Sequence, residues 1–83
     1  SQRMKDLLER ALLLDEKIFG LNHPRVAANL GNLANAYGDL GDARKQKELL
    51  ERALAIQEKY FGPDHYQVAM TLNNLANAHG ALG

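Results

Sequence analysis

The sequence predicts an all-α fold in which antiparallel helix-turn-helix repeats stack as an α-solenoid. Three observations support this prediction. The second half of the chain repeats the first, apolar residues recur at steps of three and four within the repeated unit, and glycine, aspartate and proline stand where one helix would turn into the next. Nothing in the unit has the strict alternation of apolar and polar residues that is typical of a half-buried strand.

The internal duplication defines the unit. Residues 7–41 align with residues 49–83 at a shift of 42, and 22 of the 35 aligned positions are identical. Self-similarity with a period of about 20 to 50 residues marks an array, in which each unit buries its apolar face against its neighbours. The 83 residues are therefore interpreted as a single fragment of a repeat array, about two units of 42 residues long.

Helical periodicity divides the chain into four segments. Helices are predicted near residues 2–19, 23–40, 43–61 and 65–82. The second segment has a narrow apolar stripe, made of Val26, Ala27, Leu30, Leu33, Ala34, Tyr37 and Leu40. The third has a broader apolar side, made of Leu49, Leu50, Ala53, Leu54, Ile56, Tyr60 and Phe61. Both patterns are typical of amphipathic helices that pack against neighbours.

The residues between these segments match the chemistry of helix ends. Gly41 can take the left-handed conformation that ends a helix, and Asp42 can cap the N–H groups of the next helix. At the other junctions Asn22 and Asp64 are the predicted N-caps, and Pro24 suits a first helical turn. The helices are therefore expected to meet in short turns.

Charge and hydropathy exclude several classes of partner. Ten basic and ten acidic side chains give a net charge of zero, so the chain lacks the positive charge that nucleic acid or anionic lipid attracts. No apolar run approaches the ~18 residues of a membrane span, and residues 1–8 lack the features of a signal peptide. Neither nucleic acid nor membrane is expected as a partner. The absence of cysteine fits an intracellular, cytoplasmic location.

Residues 29–43, NLGNLANAYGDLGDA, resemble the first helix and turn of a tetratricopeptide repeat. The matching positions are Leu30, Leu33, Ala34, Tyr37 and Gly41, followed by Leu50 and Ala53 in the second helix. That family has a period of 34 residues, and this unit has eight more. The excess follows Ala53 and prolongs the second helix by roughly two turns, a longer form that resembles the repeats of kinesin light chains.

The resemblance implies a right-handed superhelix and a set of packing positions. Carried to both units, these positions are Leu30, Leu33, Ala34, Tyr37, Leu50, Ala53, Leu72, Leu75 and Ala76. Two departures stand out. Gln46 lies where the family usually has a small alanine, and His79 replaces the tyrosine found at position 37. Helix packing beside Gln46 is therefore expected to be looser or shifted.

The resemblance also implies a concave groove lined by the first helix of each unit. The groove residues would be Ala28, Gly31, Asn35, Asp39, Met70, Asn73 and Asn77, with Gly38, Gly80 and Ala81 beside them. Asn35 and Asn77 are the main candidates for peptide contact, because an amide both donates and accepts hydrogen bonds. The alternative is that they cap or bridge neighbouring helices. Asn32 and Asn74 are expected to lock the helix interface.

Neither a metal site nor catalysis is predicted. His23, His65 and His79 form no pair at i and i+4 and have no cysteine partner. A local hydrogen bond at a helix start is the plainer role for the first two. The chain has one serine, at its terminus, and one threonine, Thr71, and no glycine-rich phosphate loop. No cofactor and no enzymatic activity are expected.

The predicted function is a protein–protein interaction scaffold whose groove binds a peptide or a helix. An architectural spacer within a longer array, with no ligand of its own, is the alternative, and a regulatory sensor fused to an enzyme is a third. The fragment begins with a second helix and ends with a first helix, whose apolar faces are complementary by duplication. Head-to-tail self-association through these terminal helices is therefore also predicted.

Overall fold

The computed structural model describes residues 2–82, and this part of the chain is all-helical with no strand. Its helices are α1 (Gln2–Phe19), α2 (Pro24–Asp39), α3 (Ala43–Phe61) and α4 (Tyr66–Leu82). Each helix packs against the next one in the chain, and together they form a slab of 29 × 28 × 15 Å. The all-α class is confirmed, and every helix bound lies within one residue of its predicted position.

A glycine with left-handed backbone geometry follows each of the helices α1, α2 and α3 at or near its C-terminal end. Gly20, Gly41 and Gly62 have φ values of 88°, 86° and 89°, a region that costs other residues a steric penalty. After Gly41, the side chain of Asp42 accepts a hydrogen bond from the N–H of Lys45 at 3.0 Å. The predicted turn between α2 and α3 is therefore confirmed, with Asp42 as the N-cap of α3.

The N-caps of α2 and α4 differ from the prediction. The N-cap of α2 is His23 rather than Asn22, because His23 Nδ1 accepts a hydrogen bond from the N–H of Arg25 at 3.0 Å. In the second unit, the N–H of Gln67 donates to His65 Nδ1 at 3.1 Å. The geometry is the same in both units: the imidazole, and not the preceding Asn or Asp, caps the first N–H groups of these helices.

The core lies along α2, which packs between α1 and α3. Val26, Leu30 and Ala34 are completely buried there. The other buried apolar residues are Leu12, Ala27, Leu33, Ala36, Leu49, Leu50, Ala53, Ile56, Val68, Leu75 and Ala78. Helical spacing explains the arrangement, since residues three and four apart share a face. Among the expected packing positions, Leu30, Leu33, Ala34, Leu50, Ala53 and Leu75 are buried.

Two expected packing positions are instead exposed. Leu72 is 49% exposed and Ala76 is exposed as well, although their first-unit counterparts Leu30 and Ala34 are buried. The physical reason is that α3 covers this face of α2, whereas no further helix within residues 2–82 covers the same face of α4. Periodicity predicts which face of α4 is apolar, but it does not predict whether another helix covers that face.

Gln46 and Gly38 fit together across α2 and α3. A Cβ added to Gly38 would lie 2.7 Å from Gln46 Nε2, closer than carbon and nitrogen can approach without a shift. The larger side chain at the usual alanine position is therefore accommodated by a glycine opposite it. Gly31 differs, because a Cβ added there would meet nothing within 4 Å.

Tyr37, another expected packing position, joins α2 to α1. Its side chain is half-buried against the core, and its hydroxyl donates a hydrogen bond to Glu9 Oε2 at 2.8 Å. That hydrogen bond and the burial raise the pKa of Tyr37 above its ordinary value. The ammonium group of Lys5 lies 5.4 Å from the ring centroid. His79, at the equivalent position of α4, is exposed.

Candidate binding groove

A cavity of about 230 Å³ opens between α2 and α4, with α3 as its floor. Residues from all three helices line it: Ala27, Ala28, Gly31, Asn32, Asn35, Leu50, Gln57, Gln67, Met70, Thr71 and Asn74. None of these side chains is charged, so the groove is electrostatically neutral. Its lining combines amide and hydroxyl groups with small or apolar side chains, a mixture that suits a ligand with both polar and apolar parts.

Four of the seven expected groove residues line this cavity. They are Ala28, Gly31, Asn35 and Met70. Asp39, Asn73 and Asn77 are exposed on the same two helices but lie outside its lining. Asn77 is the second-unit counterpart of Asn35 and is exposed on α4. The structure therefore does not bring Asn35 and Asn77 into one site.

Asn32 and Asn74 were expected to lock the helix interface, and the structure differs. Both line the cavity, Asn32 exposed and Asn74 half-buried. Within residues 2–82 neither side-chain amide forms a hydrogen bond with another residue, and the same holds for Asn35. Three amides with unused donors and acceptors thus point into one neutral groove. Open space beside Gly31 leaves room for a ligand to approach the helix backbone.

A buried polar pair underlies the groove and was missed by sequence reasoning. Thr71 Oγ1 donates a hydrogen bond to Gln57 Oε1 at 2.5 Å, and both residues are buried. Gln57 Nε2 then donates to Gln67 Oε1 at 3.5 Å. One signal was available, because Gln57 follows Ala53 by four residues and so continues the apolar face of α3. A polar residue at such a position requires a partner.

The first unit makes the same contact with different side chains. Asn29 Nδ2 donates to Asp15 Oδ2, and these positions precede Thr71 and Gln57 by 42 residues each. Arg25 approaches the same carboxylate, with Nε 3.9 Å from Asp15 Oδ2. The repeat therefore preserves a polar link between each second helix and the first helix that follows it, while the chemistry of the link varies.

The histidines at the helix starts have structural contacts. His23 stacks on Phe19 with ring centroids 4.5 Å apart, and His65 stacks on Phe61 at 4.3 Å. Stacking orients each imidazole so that Nδ1 faces the N–H groups of the next helix. No group of three or more metal-ligating side chains occurs within residues 2–82. The local hydrogen-bonding role is confirmed for both residues.

Replacing His65 with alanine is expected to lower the free energy of unfolding by about 1 to 2 kcal/mol, because the change removes both an N-cap and a stacked ring. Urea denaturation followed by circular dichroism measures this difference. His79→Ala is the matched control, since His79 is exposed and makes none of these contacts. Equal stabilities for the two variants would show that the cap contributes nothing.

Hydropathy provides a separate finding. Among the helices of the described chain, none combines the length and the apolar character that crossing a bilayer requires.

Comparison with known proteins identifies a repeat in the second half of the chain. Residues 47–83 match the family model described as tetratricopeptide repeat, a segment that includes most of α3 and all of α4. No curated protein matches the chain at a significant level. The duplication relates residues 7–41 to the matched segment. The resemblance to this family is thus supported, and it rests on the part of the chain that holds Gln57, Met70 and Asn74.

Proposed function

We propose that this chain, which carries a tetratricopeptide repeat, binds an extended peptide segment of another protein in the groove between α2 and α4. Repeats of this family generally mediate protein–protein interactions. The observation that supports the groove is the cluster of three amides, on Asn32, Asn35 and Asn74, that have no hydrogen-bond partner within residues 2–82 and line one cavity.

The amides suggest how such a ligand would be held. An extended peptide presents alternating N–H and C=O groups, and each asparagine can donate to one and accept from another. Backbone contacts of this kind bind a peptide without selecting its sequence, so selectivity would come from side-chain fit. Met70, which is 56% exposed, offers a flexible apolar surface for a side chain of the ligand. Because no charged side chain lines the groove, the lining does not favour a charged peptide over a neutral one.

Several finer features belong to the same proposal. We propose that the 42-residue unit is the longer, kinesin-light-chain type of repeat, and that stacked units wind into a right-handed superhelix. The activity would be binding rather than catalysis, in an intracellular and cytoplasmic setting. The length of α3, which at 19 residues exceeds α2 by three, supports the longer form.

An architectural spacer is the second candidate function. It is favoured by the exposed apolar faces of α1 and α4, since Leu14 is 58% and Leu72 is 49% exposed. Such faces suit helices that continue an array. A spacer would leave the groove empty, and its groove residues could be substituted without losing any interaction.

Selection from a displayed library of unstructured peptides tests the groove directly. We expect selected peptides to lose binding by about tenfold or more when Asn35→Ala and Asn74→Ala are combined, because several hydrogen bonds are lost together. Isothermal titration calorimetry measures the change. The matched control combines Asn73→Ala with Asn77→Ala, which removes two asparagines that lie outside the cavity lining and should leave affinity unchanged.

Gly31→Leu provides an independent test of the same site. Leucine favours the helix more than glycine does, by about 1 kcal/mol, and the added side chain meets no atom of the chain near its Cβ. The variant should therefore fold normally while filling the groove, and peptide binding should be abolished. If the selected peptides bind Gly31→Leu with the same affinity as the parent, the binding site lies outside the groove. If the library yields no binders, the spacer function is favoured.

A further inference from the structure

The two ends of the structure expose apolar residues that the middle of the structure buries. On α3, Leu49 is 8% and Ile56 is 4% exposed. Their counterparts on α1, 42 residues earlier, are Leu7 and Leu14, which are 54% and 58% exposed. The helices are equivalent in sequence, so the difference arises from their neighbours. α3 packs against α2, the helix that precedes it in the chain. No helix precedes α1 within residues 2–82.

The opposite end shows the reciprocal pattern. Leu30 and Ala34 of α2 are completely buried, whereas Leu72 is 49% exposed and Ala76 is exposed on α4. On α2 this face is covered by α3, the helix that corresponds to α1. The face exposed on α4 is therefore the one that fits a helix of the α1 type, and the face exposed on α1 is the one that fits a helix of the α4 type.

We propose that α1 of a second copy of this chain packs on α4, and that it reproduces the contact that α3 makes with α2. The contact joins two different faces, so each copy keeps one face for a further copy. Association of this heterologous kind builds open stacks rather than closed two-fold dimers. The chain's own α2–α3 interface serves as the template for every junction.

Shape complementarity at one position supports the match. In the template, Gln46 of α3 lies against Gly38 of α2, where a Cβ would come within 2.7 Å of it. The equivalent pair across the junction is Met4 of one copy and Gly80 of the other. A Cβ added to Gly80 would meet nothing within 4 Å, and Met4 is 54% exposed. A flexible apolar side chain thus meets an open glycine, which makes this part of the junction less polar than the template.

Charge complementarity supports the same register. Within the chain, Arg52 Nη2 of α3 lies 2.5 Å from Glu16 Oε2 of α1, so successive second helices are linked by an ion pair. Shifted by 42 residues, this pair becomes Glu58 of one copy and Arg10 of the next. Both residues are exposed, and the residue types are the same as in the template. The junction therefore places opposite charges together without any change of sequence.

An unrelated partner helix would have to reproduce these features independently. A second copy already has them, because the duplication supplies the apolar residues of both faces, the glycine and the charge pair, and Met4 stands at the position of Gln46 opposite that glycine. The occupant proposed here is for that reason a second copy and not another protein. The proposal concerns the ends of the structure and is independent of the groove between α2 and α4.

Sedimentation velocity of the 83-residue chain from micromolar to millimolar concentration tests the proposal. The mean mass of the parent should rise with concentration and pass beyond that of a dimer. Leu14→Ser breaks the α1 face and Leu72→Ser breaks the α4 face, and each variant alone should be monomeric at concentrations at which the parent begins to associate. Each change should raise the dissociation constant about tenfold or more, because a leucine side chain is no longer buried.

Mixing the two variants distinguishes a heterologous contact from a symmetric one. Leu14→Ser keeps an intact α4 face and Leu72→Ser keeps an intact α1 face, so the mixture should form dimers and nothing larger. A symmetric contact between two α1 faces would instead leave Leu72→Ser self-associating. That result, a monomeric mixture, or a parent that stays monomeric at millimolar concentration would overturn the proposal.

Leu13→Ser is the matched control. Leu13 is adjacent to Leu14 and 63% exposed, but its counterpart Ala55 is exposed on α3, so it lies outside the junction. The control should form stacks like those of the parent. An equal loss of stacking in Leu13→Ser and Leu14→Ser would show that α1 does not pack on α4 in the register proposed. Circular dichroism melts at micromolar concentration should coincide for all variants, because each altered side chain is exposed in the single chain.

Discussion

Leu33→Ala is expected to lower the free energy of unfolding by ~2 to 5 kcal/mol, the range for truncating a buried leucine to alanine. Leu33 is 2% exposed and belongs to the core cluster, which includes residues of all four described helices. A chain of this size rarely gains more than about 3 to 5 kcal/mol from its core. The substitution should therefore abolish the cooperative unfolding transition.

Thermal and urea denaturation followed by circular dichroism measure this loss. Leu13→Ala is the control, since Leu13 is 63% exposed and the same atoms are removed from a helix surface. The control should unfold close to the parent. A melt of Leu33→Ala that overlaps the parent melt would contradict the assignment of Leu33 to the core face of α2.

The helices could be predicted from sequence because each depends on local chemistry. A stripe of apolar residues at steps of three and four occurs in α2, and Gly41 with Asp42 ends one helix and starts the next. The apolar stripe occurs again 42 residues later, in α4, and the repetition separates it from chance. Prediction succeeded where a short stretch of chain carries all the information that the structure uses.

The N-caps were predicted wrongly because they depend on residues farther apart. Asn and Asp are the usual caps, which favoured Asn22 over His23. The stacking of His23 on Phe19 holds the imidazole in place across the turn and directs Nδ1 to the N–H of Arg25. A general preference for one residue type cannot anticipate an orientation that a neighbouring helix end imposes.

The groove was predicted in part, and the missing part lies on α3. The resemblance implies groove residues only on the first helix of each unit, which include Ala28, Gly31, Asn35 and Met70 but no residue of the floor. Gln57 reaches the cavity from α3, and its partner Thr71 lies on α4. Such a pair can be found only when two helices are placed side by side.

Thr71→Val is expected to destabilise the chain by ~1 to 3 kcal/mol, the usual cost of leaving a buried polar group without its partner. Valine has nearly the same shape and is also β-branched, so packing and helix propensity change little. The lost hydroxyl leaves Gln57 Oε1 without the hydrogen bond at 2.5 Å that it accepts from Thr71. Urea denaturation at micromolar concentration measures the change.

Combining Thr71→Val with Gln57→Leu completes the test, because it removes both polar groups. If the cost of the single change comes from an unsatisfied amide, the double variant should be more stable than Thr71→Val alone, since no buried polar atom of the pair remains. The coupling between the two sites should then be about 0.5 to 3 kcal/mol. Strictly additive effects would instead mean that Gln57 finds water or Gln67 as a substitute partner, and that the buried hydrogen bond between α3 and α4 does not stabilise their contact.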